Sequence, residues 1–481
     1  MPALLDVLLS EPIATINPNI YGHFIEHLGA CVYDGLWFPN KGPCTEVIEA
    51  LKSLRPPVLR WPGGCFADDY HWQDGIGPRE HRPKRVNLHW GGVIESNHFG
   101  THEFIAFCRA VGAQPYISGN VGSGSPREMR DWVEYCNHRS GSTLSDLRRA
   151  NGGDQPFNVQ FWGVGNEPWG CGGHFTPEDY AKEYRRFATY LRGFGDTPLH
   201  LIAAGPDGND LEWTRRFFEK LNDGRADIPV RHPSTIHSYA AHYYCGTAGT
   251  ATEYTEAQWY ELLLRAAKME ELIVQQRALM DQFDPQRRIN LIIDEWGTWH
   301  PPTPGRNPAF LWQQNTLRDA LVAAITLNIF NRHADKVAMA NIAQTVNVLQ
   351  ALLLTENGKV IRTPTYHVYD LYKNHQGARA IRLESNSDLN VSASVKNTTL
   401  TLTAVNTKIA RPIEIQINLR GASAILIRQT ILTDSDIHAH NTFDQPTRLF
   451  PQEPLVLPLR GDSFPFTFPP QSLTRLEMSL A

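Results

Sequence analysis

No stretch of this 481-residue chain approaches the roughly 18 consecutive apolar residues of a membrane span. The longest apolar segment, Ala320 to Phe330, is interrupted by Thr326 and Asn328, so no membrane partner is expected. An excess of one charge is equally lacking. The formal net charge is −5, which gives no electrostatic reason to expect nucleic acid. The one dense basic stretch, Arg79-Glu-His-Arg82-Pro-Lys84-Arg85, is short, broken by Glu80, and reads as a solvated loop. Cysteine is sparse: seven residues, an odd number scattered without zinc-site spacing, favour free thiols in a reducing compartment. The N-terminal Met1-Pro-Ala-Leu-Leu-Asp-Val lacks a basic region and carries an acid in its apolar stretch, unlike a signal peptide. The expectation is a soluble cytoplasmic protein, with earlier removal of a leader as the alternative.

What is present is a globular composition, 42% hydrophobic and 20% charged, in a chain long enough for one large and one smaller domain. From about residue 18 to 375, short apolar runs alternate with longer segments of helical period, the pattern of βα units around a parallel sheet. The runs predict eight strands: Ile20 to Ile25, Val58 to Trp61, Pro115 to Ser118, Val159 to Val164, Leu199 to Ala204, Ile236 to Tyr243, Asn290 to Asp294 and Lys336 to Ala343. Helices are expected at Cys44 to Leu54, Thr101 to Val111, Pro126 to Asn137, Pro177 to Arg192, Leu211 to Asn222, Glu256 to Met280 and Trp312 to Arg332. Eight repeats favour a (β/α)8 TIM barrel, an α/β fold, over an open doubly wound sheet. From 376 to 481 the period changes to two, as in Thr399-Leu-Thr-Leu-Thr-Ala-Val, and an antiparallel β-sandwich is expected. Residues 1–17 are too few for a domain and are expected to join one of the sheets.

Two segments carry the chemistry. Phe161-Trp-Gly-Val-Gly-Asn166-Glu167 and Leu291-Ile-Ile-Asp-Glu295-Trp296 are apolar runs that end in a glutamate. A carboxylate at the end of a buried strand must be paired, because desolvation alone costs several kcal/mol. Salt-bridged strand ends are the ordinary explanation for one such acid. Two of them, each with a nearby tryptophan (Trp169 and Trp296), point instead to glycoside hydrolysis, in which two carboxyls flank the scissile bond and aromatic faces stack on sugar. In a barrel the functional residues lie at the C-terminal ends of the strands. That rule gathers Glu26, the Pro62-Gly-Gly-Cys65 turn, Asn120, Asn166, Glu167, Tyr244, Glu295 and Gln344 on one face. His23-Phe-Ile-Glu26-His27 also spells an inverted zincin pattern, but flanking glycines argue against the helix it needs, and no third ligand follows. The more economical reading has Glu26 and one histidine bonding substrate hydroxyls while the other histidine is a satisfied core residue.

Together, Ile20-Tyr-Gly-His-Phe-Ile-Glu-His-Leu-Gly29, Leu59-Arg-Trp-Pro-Gly-Gly64, Gly165-Asn-Glu167, His242-Tyr-Tyr244, Ile293-Asp-Glu-Trp296, Trp299 and Ala343-Gln-Thr-Val-Asn-Val348 resemble an α-L-arabinofuranosidase of glycoside hydrolase family 51. The resemblance implies a (β/α)8 barrel with a C-terminal β-sandwich, a retaining exo-acting mechanism on arabinose-containing polysaccharides or oligosaccharides, no cofactor or metal, and a homo-oligomer, often a hexamer. It assigns Glu167 as acid/base and Glu295 as nucleophile. It places Glu26, Cys65, Trp90, Asn166, His242, Tyr244, Trp299 and Gln344 around the sugar. Cys65 departs from the asparagine that many members carry there, and a thiol is a weak hydrogen-bonding group. Cys65 and Cys171 follow the second and fourth strands on one barrel face, within bridging reach if their Cα atoms approach to about 7 Å, although free thiols are the expectation. A retaining β-xylosidase or endo-glucanase on the same barrel, or a non-catalytic carbohydrate-binding protein, are the alternatives.

Overall fold

The computed structural model describes residues 3–38, 41–223, 236–246 and 248–481. Eight parallel strands close a barrel in chain order: Gly22–Phe24, Val58–Trp61, Gln114–Gly119, Phe161–Val164, His200–Asp207, Ser238–Cys245, Asn290–Thr298 and Val337–Ala343. The last strand pairs with the first, Asn341 opposite Gly22, which closes the ring. Val58, Tyr116, Phe161, Ile202, Ala240, Ile292 and Met339, one from each of seven strands, fill a layer of the barrel interior. The first strand contributes Gly22, where a Cβ would lie 2.6 Å from Val58 and 2.3 Å from Asn341. Packed in this way the barrel is a core, not a pore, and substrate can be held only at its rim.

The helices follow their sequence signals closely. Thr101–Val111, Pro126–Asn137 and Leu211–Asn222 have the expected bounds. Thr176 caps Pro177–Tyr190 by accepting the Asp179 N–H, with proline at the first helical position. Leu317–Arg332 is buried from Leu317 to Asn331 because it is covered on every side, and its polar groups find partners there: Tyr372 Oη donates to Ala324 O at 3.0 Å, and Ser392 Oγ donates to Asn328 Oδ1 at 2.7 Å. This helix accounts for the apolar run from Ala320 to Phe330, and no described helix is long and apolar enough to cross a membrane.

Several bounds differ from expectation. The first strand is short because Pro18–Tyr21 forms a 3₁₀ turn capped by Asn17. The helices Thr143–Ala150 and Pro364–Tyr372 are additional. Beyond the barrel lies one nine-stranded sheet, curled so that every strand except the three-residue Leu455–Leu457 edge sends buried side chains into a second core, a C-terminal β-sandwich. Within it, Ala3–Thr15 lies between Arg379–Ser385, antiparallel, and Ile413–Arg420, parallel. Met1 and Pro2 of that opening segment lie outside the described residues.

Candidate active site

The seventh barrel strand runs to Thr298, so Glu295 stands within the strand and not at its end. A charge can sit there because its partners come from other strands. Arg60, on the second strand, donates to Glu295 Oε1 at 2.6 Å, and Tyr244, on the sixth, donates to Oε2 at 2.8 Å. His242 pairs in register with Glu295 and places Nδ1 at 3.6 Å from its Oε2. The same Nδ1 lies 2.9 Å from Glu167 Oε1, and Nε2 lies 3.0 Å from Asp294 Oδ1. One oxygen of Glu167 and one of Glu295 come within 4.8 Å of each other. Oxygens that close are consistent with the short carboxyl separation of retaining glycosidases, roughly 5 to 5.5 Å.

The other predicted site residues gather around this pair. Glu26 is 2% exposed and accepts from Phe66 N at 3.0 Å, Trp90 Nε1 at 2.9 Å and Gln344 Nε2 at 3.0 Å. The Pro62-Gly-Gly turn makes room for it, since a Cβ on Gly63 or Gly64 would lie 2.9 Å from Glu26 side-chain atoms. Gln344 Oε1 is buried with no protein partner among the described residues, an acceptor free for a ligand hydroxyl. Asn166 accepts from Arg60 Nη2 at 2.6 Å. Trp299 meets the Tyr244 ring edge-on at 5.2 Å and is 36% exposed, a platform at the mouth.

Five expectations are corrected. Cys65 and Cys171 are not free thiols: they form a disulfide with Cα atoms 5.5 Å apart. A bonded sulfur has no hydrogen to donate, so the expected Cys65 thiol contact to sugar falls away. Neither histidine of the His23–His27 motif is available to substrate. His27 lies between Glu95 at 2.9 Å and Trp61 Nε1 at 3.0 Å, and His23 is fully buried against Tyr369. Asn120 braces its own loop through Ser123 and Gly124. Trp296 is 1% exposed and packs on Phe330, so it cannot stack on a sugar.

Arg60, Asp68 and Asp294 carry the site although sequence reasoning gives them no role. Asp68 accepts the backbone N–H groups of Val121 at 2.7 Å, Gly122 at 2.8 Å and Asn166 at 3.0 Å, tying the loops after the third and fourth strands together. The available signal is polarity inside an apolar run: Arg60 in Val-Leu-Arg-Trp and Asp294 in Ile-Ile-Asp-Glu.

The electrostatics separate the acids by environment. Burial, reinforced by the charge of Glu295, raises Glu167 above the ordinary carboxylate range, while the His242 hydrogen bond works the other way. Burial opposes ionisation of Asp294 too, but Arg60 and His242 overcome it and hold that acid at about 2. Burial disfavours the imidazolium of His242, yet Glu295 and Asp294 outweigh it and raise it well above the usual histidine value. Glu26 is pushed up to about 7 by burial and by Glu295. Of the facing pair, then, Glu167 is the carboxyl whose burial biases it toward the protonated form, the direction an acid catalyst requires.

A pH prediction follows from the sign of the His242 contribution. The His242 cation favours ionised Glu167, so His242→Gln moves the alkaline limb of the kcat/KM profile to higher pH and leaves a bell. Glu295, Arg60, Asp294 and Tyr244 remain as the neighbouring charged and titratable groups. Disappearance of the alkaline limb in this variant would assign that limb to His242 itself.

A closed parallel barrel whose C-terminal rim holds two facing glutamates, one biased by burial toward its protonated form and one paired with Arg60, defines a retaining glycoside hydrolase. Residues 50–257 match the model of the α-L-arabinofuranosidase 1 domain, and 294–472 match that of the α-L-arabinofuranosidase C-terminal domain. The chain belongs to the α-L-arabinofuranosidases of glycoside hydrolase family 51 and is an enzyme of that family. It is 40% identical over 483 aligned residues, 96% of this chain and 93% of the relative, to an intracellular exo-α-L-arabinofuranosidase of Bacteroides ovatus. Its identity to a probable α-L-arabinofuranosidase C of Aspergillus fumigatus is 36%, over 78% of this chain and 74% of the relative. The crystal structure of the family 51 arabinofuranosidase of Xanthomonas axonopodis superposes with a TM-score of 0.93 at 38% identity, over 99% of this chain and 100% of that one. An arabinose complex of the Thermotoga maritima α-L-arabinofuranosidase superposes with a TM-score of 0.88 at 30% identity, over 99% of this chain and 100% of that one.

Proposed function

We propose that this enzyme removes terminal α-L-arabinofuranosyl residues from arabinan, arabinoxylan or their oligosaccharides by double displacement, with Glu295 as nucleophile and Glu167 as acid/base. The observation that carries this reading is the pair of carboxyls with oxygens within 4.8 Å of each other, of which, among the described residues, Glu295 alone accepts from an arginine. Glu295, oriented by Arg60 and Tyr244, attacks the anomeric carbon while Glu167 gives its proton to the departing oxygen. Glu167, now ionised and bonded to His242, takes a proton from water, which releases the sugar from Glu295. Glu26, Gln344, Trp90 and Asn166 hold the ring, and Trp299 and Tyr244 flank the entrance. The mechanism needs no metal or cofactor.

On this reading residues 18–375 form the catalytic unit, and 376–481, with strand 1–17, the sandwich beside it. The family resemblance and the intracellular Bacteroides relative support a cytoplasmic site of action. Exposed apolar side chains at Leu88, Ile94, Leu455 and Val456 are compatible with a homo-oligomer, in the extreme a hexamer, which sedimentation would measure.

A panel of nitrophenyl glycosides tests the specificity. The expected result is cleavage of the α-L-arabinofuranoside at a kcat/KM at least about tenfold above that of the β-xyloside or β-glucoside, with the anomeric configuration retained by NMR. Preference for a xyloside, or internal cleavage of a glucan, would reassign the substrate. Inactivity on every glycoside would leave a carbohydrate-binding protein.

A further inference from the structure

The acid/base lies against a disulfide. Cys171 Sγ is 3.5 Å and Cys65 Sγ 3.9 Å from Glu167 Oε2, while the other carboxyl oxygen faces His242 Nδ1 at 2.9 Å. Glu167 therefore has a nitrogen partner on one oxygen and, on the other, sulfurs that carry no hydrogen. A disulfide cannot donate to Oε2, so it gives the ionised form no support. The backbone at Glu167 is itself constrained, with φ at +39°, a region that non-glycine residues seldom occupy. That conformation is held by the loop 165–173, in which Gly170 N and Gly172 N donate to Glu167 O at 2.9 and 3.1 Å. The Cys171 bond to Cys65 ties the same loop to the turn after the second strand. The remaining five cysteines are buried and free, whereas Cys65 and Cys171 are half-buried, as Glu167 is.

We propose that the joined Cys65–Cys171 pair positions the carboxyl of Glu167, and that its reduction by a dithiol weakens the general-acid step. The proposal rests on the reading of Glu167 as acid/base. A thiolate of the dithiol attacks one sulfur, the protein S–S bond breaks, and a mixed disulfide forms. The second thiolate of the dithiol then displaces the first cysteine and closes the reductant's own disulfide. Two electrons and two protons end on Cys65 and Cys171, and the dithiol is oxidised. Reduction changes two things at Glu167: the loop loses its tie, and sulfur beside Oε2 becomes a weak S–H donor that favours the carboxylate. His242, Glu295, Arg60 and Tyr244 are the charged and titratable groups around the acid, with Asp294 behind His242.

The test compares oxidised, dithiothreitol-treated and reoxidised enzyme, with thiols titrated after denaturation. Five thiols are expected before treatment and seven after it. Reduction should lower kcat/KM for methyl α-L-arabinofuranoside, which needs its leaving group protonated, by about tenfold, part of the roughly 10²- to 10⁴-fold that general acid catalysis supplies. The dinitrophenyl arabinofuranoside should change by less than about twofold in kcat/KM, since that ratio reports the first step and a phenolate leaves without a proton. The alkaline limb should move to lower pH, and reoxidation should restore both. The double variant Cys65→Ala/Cys171→Ala should show the loss on the methyl glycoside permanently and ignore dithiothreitol. Equal losses on both substrates, unchanged rates with seven thiols titrated, or a count that stays at five in treated native enzyme would each overturn the proposal. An oxidised enzyme that cleaves no arabinofuranoside would instead overturn the glycosidase reading beneath it.

Discussion

Glu295→Ala abolishes turnover of every arabinofuranoside, whereas Glu167→Ala retains the first chemical step for a dinitrophenyl leaving group and loses it for an alkyl one. The asymmetry follows from what each group supplies. A phenolate of low basicity departs without a proton, but nothing replaces the carboxylate that forms the bond to the anomeric carbon. Losing the acid on an alkyl glycoside costs about 10²- to 10⁴-fold in kcat/KM, the usual range for general acid catalysis. Azide added to the Glu167 variant should attack the glycosyl-enzyme without base assistance and give an arabinofuranosyl azide of retained configuration. Its formation and configuration, read by NMR, check the assignment. An inverted azide product from the Glu295 variant, with none from the Glu167 variant, would leave the geometry intact but contradict the retained-azide assignment.

Arg60→Met has the second largest expected effect, although Arg60 reaches no substrate atom in the mechanism. Its guanidinium is 1% exposed, donates to Glu295 and Asn166 at 2.6 Å each and to Ser118 at 3.1 Å, and lies 3.4 Å from Asp294. Methionine fills part of the volume but leaves two buried carboxylates with His242 as the remaining cation. Breaking such a pair on one side costs about 3 to 5 kcal/mol of stability. Losing a fixed donor at the reacting group costs about 10²- to 10³-fold in kcat. Urea unfolding and kcat measure these effects separately, and a variant with unchanged kcat would remove Arg60 from the role of counter-ion.

Local features of the fold are legible in the chain, and long-range ones are not. Apolar runs bounded by turn residues mark the eight barrel strands, and capping residues such as Thr176 mark helix starts. The sequence predicts that the strand before Glu295 stops at Asp294, because a charge reads as an ending. It continues only because Arg60, 235 residues away in sequence, meets the carboxylate. Asp68 is unreadable for the same reason: its partners at Val121 and Asn166 lie 53 and 98 residues further on, and they are backbone groups with no sequence signature. The two glutamates are legible because their residue type is costly at that place. The bridge at Cys65 is not, because its partner lies 106 residues away and five other cysteines of the same chain stay free.

The strand Ala3–Thr15 is made early in synthesis, but its two sheet neighbours are Arg379–Ser385 and Ile413–Arg420. At the roughly 5 to 20 residues per second of translation, about 20 to 75 seconds pass before the first partner exists. Over that interval the whole barrel can fold while an apolar strand with Leu5 and Val7 waits unpaired at its start. The nascent chain thus carries a sticky edge ahead of a barrel that can already be folded, and that edge is where a holding chaperone or a wrongly paired neighbouring chain would first engage it.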